Sequence, residues 1–173
     1  MRLITGGRYQ GKSAYAKKLT ENDANSAQTI LDSAGKIQEN DTNPNPVILD
    51  PTDSQTANII RENDMSAFYK QCAQVAVLDH CEVLVDLLLP RFDIDNMSID
   101  ELHHELLGIF EEIIKAQPKM IFVMAELGCG VVPIDKKLDI LREHCGRISC
   151  DLAARAESVD RMICGIPQRI AGN

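Results

Sequence analysis

The feature that most restricts the fold is a glycine-rich run, Gly-Gly-Arg-Tyr-Gln-Gly-Lys-Ser, at residues 6–13. It fits G-x-x-x-x-G-K-[ST], the pattern of phosphate-binding loops in nucleoside triphosphatases. The short apolar run at residues 2–5 predicts a strand, and residues 14–19 begin a helical pattern. A strand, a glycine turn and a helix N-terminus together direct backbone N–H groups and a positive dipole end at an anion. We therefore favour a phosphate-binding loop over a glycine turn that only joins a strand to a helix.

Each position of this loop has a predicted role. Gly6 and Gly11 let the backbone turn tightly and approach phosphate oxygens. Lys12 is predicted to reach the β- and γ-phosphates, where it would stabilise charge on the transferred group, and the Ser13 hydroxyl is predicted to bind Mg²⁺. The predicted nucleotide-binding residues are Gly6, Gly7, Arg8, Tyr9, Gln10, Gly11, Lys12 and Ser13.

Size and charge exclude several classes of protein. A chain of 173 residues predicts one domain, residues 1–173, with a sizeable core. The net charge is −8 and no basic stripe is present, which argues against a nucleic-acid-binding surface. No apolar run approaches the roughly 20 residues that span a bilayer, and the N-terminus does not resemble a signal peptide. We expect a cytoplasmic protein.

The remaining pattern alternates strands with helices. Strands are predicted at residues 1–5, 28–32, 47–50, 74–79, 120–125 and, as the last strand, 159–164. Helices are predicted at residues 13–22, within 53–72 with Ser54 as a possible N-cap, at 83–89, at 98–116 behind a capping box of Ser98 and Glu101, and at 138–156. Residues 36–46 indicate a loop and residues 165–167 a turn. This order predicts an α/β fold, a three-layer P-loop NTPase-type domain with a mostly parallel sheet.

Two acids follow predicted strands, at the sheet edge where ligands of such folds bind. Asp79 closes the strand at residues 74–79 and is predicted to hold Mg²⁺, with capping of the next helix as the alternative. Glu126 precedes a Gly-Cys-Gly run that indicates a loop close to a ligand, although a tight strand-to-helix connection would have the same composition. We expect Glu126 to orient or deprotonate an acceptor hydroxyl.

Four patterns lie at residues 4–13, at 77–79, at 126–133, and at 142–153 together with 165–167. Together they resemble the bifunctional adenosylcobinamide kinase/adenosylcobinamide-phosphate guanylyltransferase family of cobalamin biosynthesis. Residues 4–13 resemble its TGG-x-x-x-GKS start, and residues 126–133, Glu-Leu-Gly-Cys-Gly-Val-Val-Pro, resemble its E-V-G-x-G-I-V-P segment. Residues 142–153 and 165–167 resemble its tail, and residues 77–79 resemble the strand that ends in its acid. The resemblance implies a trimeric P-loop fold that transfers the γ-phosphoryl group of ATP or GTP to the aminopropanol hydroxyl of adenosylcobinamide. It also implies a second step that attaches GMP through a guanylylated histidine.

The chain departs from the family pattern in its middle third. The family's histidine stands in an R-I-x-x-H-x-x-x-R helix after the second strand, whereas this chain has no histidine before His80. His80, Cys81 and Glu82 follow the strand acid where the family has Cys, then Thr and Asn, and Ser149 replaces the Asn of the tail. We therefore expect kinase activity without guanylyltransferase activity. The alternatives are a non-catalytic or regulatory nucleotide-binding relative and a small-molecule kinase with a different alcohol acceptor.

Overall fold

The computed structural model describes residues 1–32, 48–128, 130 and 133–172. Within these ranges, six strands form one sheet: β1 Arg2–Gly6, β2 Ile48–Leu49, β3 Val77–Leu78, β4 Ile121–Val123, β5 Ser158–Ile163 and β6 Ile166–Ala171. The strand order is β2-β3-β4-β1-β5-β6, and every pair is parallel except β5–β6. The predicted α/β class with a mostly parallel sheet is confirmed.

Helices cover both faces of this sheet. They are α1 Lys12–Asp32, α2 Ser54–Arg61, α3 Met65–Cys72, α4 Cys81–Leu88, α5 Ile99–Ala116 and α6 Lys136–Arg155, with a short 3-10 turn at Leu89–Arg91. Consecutive strand residues point to opposite faces. Ile4 accordingly packs with Ala16 of α1, whereas Leu3 joins a larger cluster that contains side chains of α2 to α6. The molecule thus has three layers, with α1 alone against its face of the sheet among the described helices.

Local hydrogen bonds define the helix starts. The predicted capping box is present, since Ser98 Oγ accepts from the Glu101 N–H at 3.2 Å and Glu101 Oε2 accepts from the Ser98 N–H at 2.8 Å. The predicted cap of α2 was one residue out of place. Asp53, not Ser54, is the N-cap, because its carboxylate accepts from the N–H groups of Gln55 and Thr56. A carboxylate also suits the positive end of the helix dipole.

One predicted strand and one predicted turn were wrong. Residues 28–32 continue helix α1, because a short apolar run alone does not distinguish a strand from a helix. Residues 166–167 begin strand β6 instead of completing a turn, so β5 is not the last strand. Cys164 and Gly165 form the connection and both have positive φ, 51° and 81°, as a two-residue hairpin turn of this type requires. Pro167 is tolerated because β6 is an edge strand.

The loop predicted at residues 36–46 lies outside the described residues. No helix in the described part of the chain is both long enough and apolar enough to cross a bilayer.

Candidate nucleotide site

The phosphate-loop motif joins the central strand β1 to helix α1, as its spacing predicts. Gly6 is the last residue of β1 and Lys12 is the first residue of α1. Gly6 has φ 140° and Gly11 has φ 80°, which are conformations that glycine adopts without a steric penalty. The Tyr15 N–H donates to the Gly11 carbonyl at 3.0 Å and so begins the helical hydrogen bonds. The first N–H groups of α1 lie before this bond, as in anion-binding helix termini.

The Lys12 side chain folds back over the loop. Its Nζ donates a hydrogen bond to the Gly7 carbonyl at 2.9 Å, and the residue is only 9% exposed. Burial lowers the pKa of Lys12 from its ordinary value of 10.5, while the nearby carboxylates of Glu82, Asp79 and Glu126 act in the opposite direction. A buried cation over a glycine loop is electrostatically suited to a phosphate anion, which would compensate for its lost hydration.

Two acids at the carboxyl ends of β3 and β4 and a third in α4 lie close enough to Lys12 to oppose the lowering of its pKa by burial. Asp79 follows β3 and is 3% exposed, and its Oδ1 accepts from the His80 N–H at 2.8 Å. Glu82, in the first turn of α4, is 7% exposed and accepts from the Ala125 N–H through Oε2 at 2.9 Å. The structure therefore brings both predicted acids, Asp79 and Glu126, near Lys12. Sequence reasoning missed Glu82, because the only signal for it was its position three residues after Asp79.

His80 connects two strand ends beside this group. Its backbone is left-handed, with φ 47° and ψ 49°, a strained region for a residue that is not glycine. Its Nδ1 lies 3.1 Å from Asp50 Oδ1, at the end of β2, and 3.6 Å from Asp79 Oδ1. In this conformation the His80 N–H donates to the Asp79 carboxylate and so restrains the orientation of that carboxylate.

Glu126 is held in place by both its backbone and its side chain. Its N–H donates to the Gly6 carbonyl at 3.0 Å, which ties the segment after β4 to the start of the phosphate loop. Its two carboxylate oxygens accept from Arg161 Nε and Nη2 of β5 at 2.8 and 2.7 Å. A role for Glu126 as a base would require Arg161 to release one of these oxygens. That role stays a prediction.

The other loop residues lie at different depths. Arg8 is exposed but near enough to contribute to the lowered pKa of Lys12. Tyr9 is fully exposed and has a positive φ of 61°. Gln10 Oε1 accepts from the Cys164 N–H of the β5–β6 turn at 3.3 Å, so a predicted loop residue contacts the hairpin that sequence reasoning missed.

The oxygen donors near the loop fit a magnesium ion. Ser13 supplies a half-buried hydroxyl in the first turn of α1, and Asp79 supplies a buried carboxylate. Within the described ranges, no three His, Cys, Asp or Glu side chains cluster closely enough to hold a metal on their own. Magnesium in nucleotide sites binds through one or two protein oxygens, phosphate oxygens and water, and a hydroxyl and a carboxylate are oxygen donors of the kind it takes.

Comparison with known proteins is consistent with this geometry. A sequence comparison with curated proteins finds no match. The family model described as cobinamide kinase / cobinamide phosphate guanyltransferase, CobU, matches residues 2–170, nearly the whole chain. The match includes the phosphate loop, the strand ends that carry Asp79 and Glu126, and the β5–β6 hairpin. The chain therefore belongs to the cobinamide kinase / cobinamide phosphate guanyltransferase family.

Proposed function

We propose that this chain is a kinase that transfers the γ-phosphoryl group of ATP or GTP to the aminopropanol hydroxyl of a cobinamide. The observation that carries the proposal is the buried Lys12, which lies over the Gly7 carbonyl beside Asp79, Glu82 and Glu126. Membership of the family supplies the acceptor class. The negative overall charge fits this reading, because the nucleotide would be held by local groups and not by a general positive field.

In the proposed reaction, the chain positions the phosphates and stabilises charge, with little covalent chemistry of its own. The loop N–H groups and the α1 terminus would bind the phosphate oxygens, and Lys12 would stabilise charge on the transferred group. Ser13 and Asp79 would hold Mg²⁺, which supplies electrostatic stabilisation to the phosphate oxygens when bound. Glu126 would orient or deprotonate the acceptor hydroxyl at the edge of the sheet.

We also propose that guanylyl transfer through the family's histidine is lost. None of the first 79 residues is a histidine, so the chain lacks a nucleophile in the region where the family pattern carries it. A cytoplasmic location and a homotrimeric assembly belong to the same proposal, on the strength of the family resemblance.

The test uses GTP labelled in either the γ- or the α-phosphate, with Mg²⁺ and adenosylcobinamide. We expect γ-label on the corrinoid and no α-label on the protein or on the corrinoid. Because phosphohistidine bonds are acid-labile, the protein must be recovered under neutral or alkaline conditions before α-label is scored.

The other outcomes separate the alternatives. Acid-labile α-label on the protein would mean that another residue has replaced the missing histidine, and the claimed loss would be wrong. Nucleotide binding without transfer of either label would favour a non-catalytic relative. Transfer of γ-label to other alcohols, but not to the corrinoid, would favour a small-molecule kinase with a different acceptor.

A further inference from the structure

The β5–β6 hairpin packs directly against the phosphate loop. Its turn donates the Cys164 N–H to Gln10 Oε1 at 3.3 Å, and a Cβ added at Gly11 would lie 3.9 Å from the Gly165 Cα. Two residues before Cys164, Met162 of β5 pairs with Gly6 in the parallel ladder. The hairpin therefore contacts the loop near both of its ends.

A buried acid in this hairpin also reaches helix α1. Asp160 of β5 is 2% exposed, and its two oxygens accept from Arg169 of β6, with Nε–Oδ1 at 2.5 Å and Nη2–Oδ2 at 3.3 Å. The Tyr15 hydroxyl of α1 donates to the same Oδ2 in a long hydrogen bond of 3.3 Å. A buried carboxylate that is paired and hydrogen-bonded is costly to leave unpartnered, so this contact constrains all three elements.

Tyr15 stands three residues after Lys12, in the first turn of the helix. Residues three apart lie on neighbouring positions of a helix surface. A contact at Tyr15 therefore restrains the rotation and tilt of the turn that carries Lys12 and Ser13. The apolar contacts of α1 with the sheet include Ala16 and Leu19, and nonpolar packing of this kind is less directional than a hydrogen bond to a fixed carboxylate.

We infer that Asp160 is a positioning residue, which holds the first turn of α1, and with it Lys12 and Ser13, in register with the β5–β6 hairpin through Tyr15 and Arg169. This inference rests on the proposed function only in the expected effect of Asp160 on nucleotide binding. The restraint on α1 itself does not depend on the reaction.

The first experiment compares Tyr15→Phe with Tyr69→Phe. Each substitution removes one hydroxyl from a half-buried tyrosine, but Tyr69 lies in α3, away from the loop. Native-state hydrogen exchange is measured without nucleotide at the amides of residues 15–18, the first that bond back into α1. We expect Tyr15→Phe to speed exchange there by about threefold or more and to leave α6 unchanged, whereas Tyr69→Phe leaves residues 15–18 unchanged.

The second experiment measures steady-state kinetics and the Kd of a non-hydrolysable GTP analogue. We expect Asp160→Asn to raise the nucleotide KM and the analogue Kd by about tenfold and the corrinoid KM little, with a smaller effect from Tyr15→Phe. A purely structural loss would lower the active fraction, and hence kcat, at an unchanged nucleotide KM. The double variant should add little to Asp160→Asn alone, because both changes break the same connection.

Either experiment can overturn the positioning role of Asp160. Unchanged exchange at residues 15–18 in Tyr15→Phe would overturn the positioning role, even if Asp160→Asn fails to fold. A nucleotide KM that is unchanged in a folded Asp160→Asn would also overturn it. If the wild-type chain binds no nucleotide, the proposed function fails, and the exchange measurement still decides whether Asp160 positions α1.

Discussion

Gly6 faces the backbone of Met162 so closely that a Cβ added at Gly6 would lie 2.6 Å from the Met162 carbonyl oxygen. Real Cβ atoms are not found this near backbone oxygens, and Gly6 also has φ 140°, which disfavours a side chain. The packing of β1 against β5 therefore requires a glycine at the start of the phosphate loop, whether or not a ligand is bound. This contact is a consequence of the sheet register, in which Gly6 pairs with Met162.

Gly6→Ala should consequently displace the phosphate loop. We expect a loss of about 1–3 kcal/mol in the free energy of unfolding and at least tenfold weaker nucleotide binding, measured by denaturation and calorimetry. Gly108→Ala is the matched control, since Gly108 lies in α5 with no atom within 4 Å of an added Cβ and should gain up to about 1 kcal/mol. Wild-type nucleotide affinity in Gly6→Ala would contradict this account of the loop.

Lys12→Ala should lower the rate of phosphoryl transfer by at least about 10²-fold. Lys12 is the buried cation whose Nζ lies over the loop at the Gly7 carbonyl, and removal of a single charge-stabilising donor typically lowers kcat by about 10²–10³. Lys17→Ala removes an exposed lysine from the same helix and should leave kcat and KM unchanged. The measurement is the steady-state rate of transfer of γ-label to the corrinoid as a function of nucleotide concentration. Unchanged turnover in Lys12→Ala would remove the basis of the proposed kinase.

The sequence was sufficient for those local structures in which neighbouring residues contact one another. The phosphate loop and the Ser98 capping box are contiguous patterns in which side chains contact backbone only a few residues away. The Glu82 contact with Ala125 and the Gln10 contact with Cys164 join residues 43 and 154 positions apart, so no local pattern reports them.

The wrong assignments of residues 28–32 and of strand β6 each have a physical cause. Residues 28–32 contain a short apolar run that suits either a strand or a helix, and the helix begun at Lys12 continues through it. Strand β6 is exposed along its whole length, so it lacks the buried alternation by which strands are recognised. Its Gly-Ile-Pro start also resembles a turn. Acids at strand ends were found because parallel strands place their carboxyl ends at one edge of the sheet.

Asp79→Asn should raise the Mg²⁺ concentration needed for half-maximal phosphoryl transfer and lower kcat. Replacing one carboxylate oxygen by an amide removes the negative charge that favours a divalent cation, while the hydrogen bond from the His80 N–H can be retained by the amide oxygen. Asp86→Asn, at a half-buried acid of α4 that pairs with Lys137 at 3.0 Å, is the control. If Asp79→Asn and Asp86→Asn have the same Mg²⁺ dependence, Asp79 is not a metal ligand.

Glu126→Gln and Arg161→Gln should differ in their effect on turnover. If Glu126 orients or deprotonates the acceptor, Glu126→Gln should lower kcat by about 10²-fold or more. Arg161→Gln removes the bidentate partner and should keep most of the turnover, because the Glu126 backbone remains bonded to the Gly6 carbonyl. Equal losses in both variants, accompanied by equal losses of stability, would mean that the ion pair serves the fold and not the reaction.

His144 of α6 should make the free energy of unfolding depend on pH in the mildly acidic range. It is 1% exposed, its Nδ1 has no hydrogen-bond partner among the described residues, and its ring stacks on His103 of α5 with centroids 6.0 Å apart. Burial, and then the proximity of His103, lower the pKa of His144 below its ordinary value of 6.5, while Glu143 raises it and Arg147 lowers it further.

As the pH falls through 6.5, the unfolded chain therefore takes up a proton at His144 before the folded chain does. The free energy of unfolding must then decrease, by about 1.4 kcal/mol for each unit by which the folded pKa is lowered. The decrease ends below the folded pKa, where both states are protonated. Denaturant titrations of His144→Gln between pH 8 and about 5 should show a shallower pH dependence than the wild type. His104→Gln, at an exposed histidine of α5, should keep the wild-type slope, and a wild-type slope in His144→Gln would assign the pH dependence to another group.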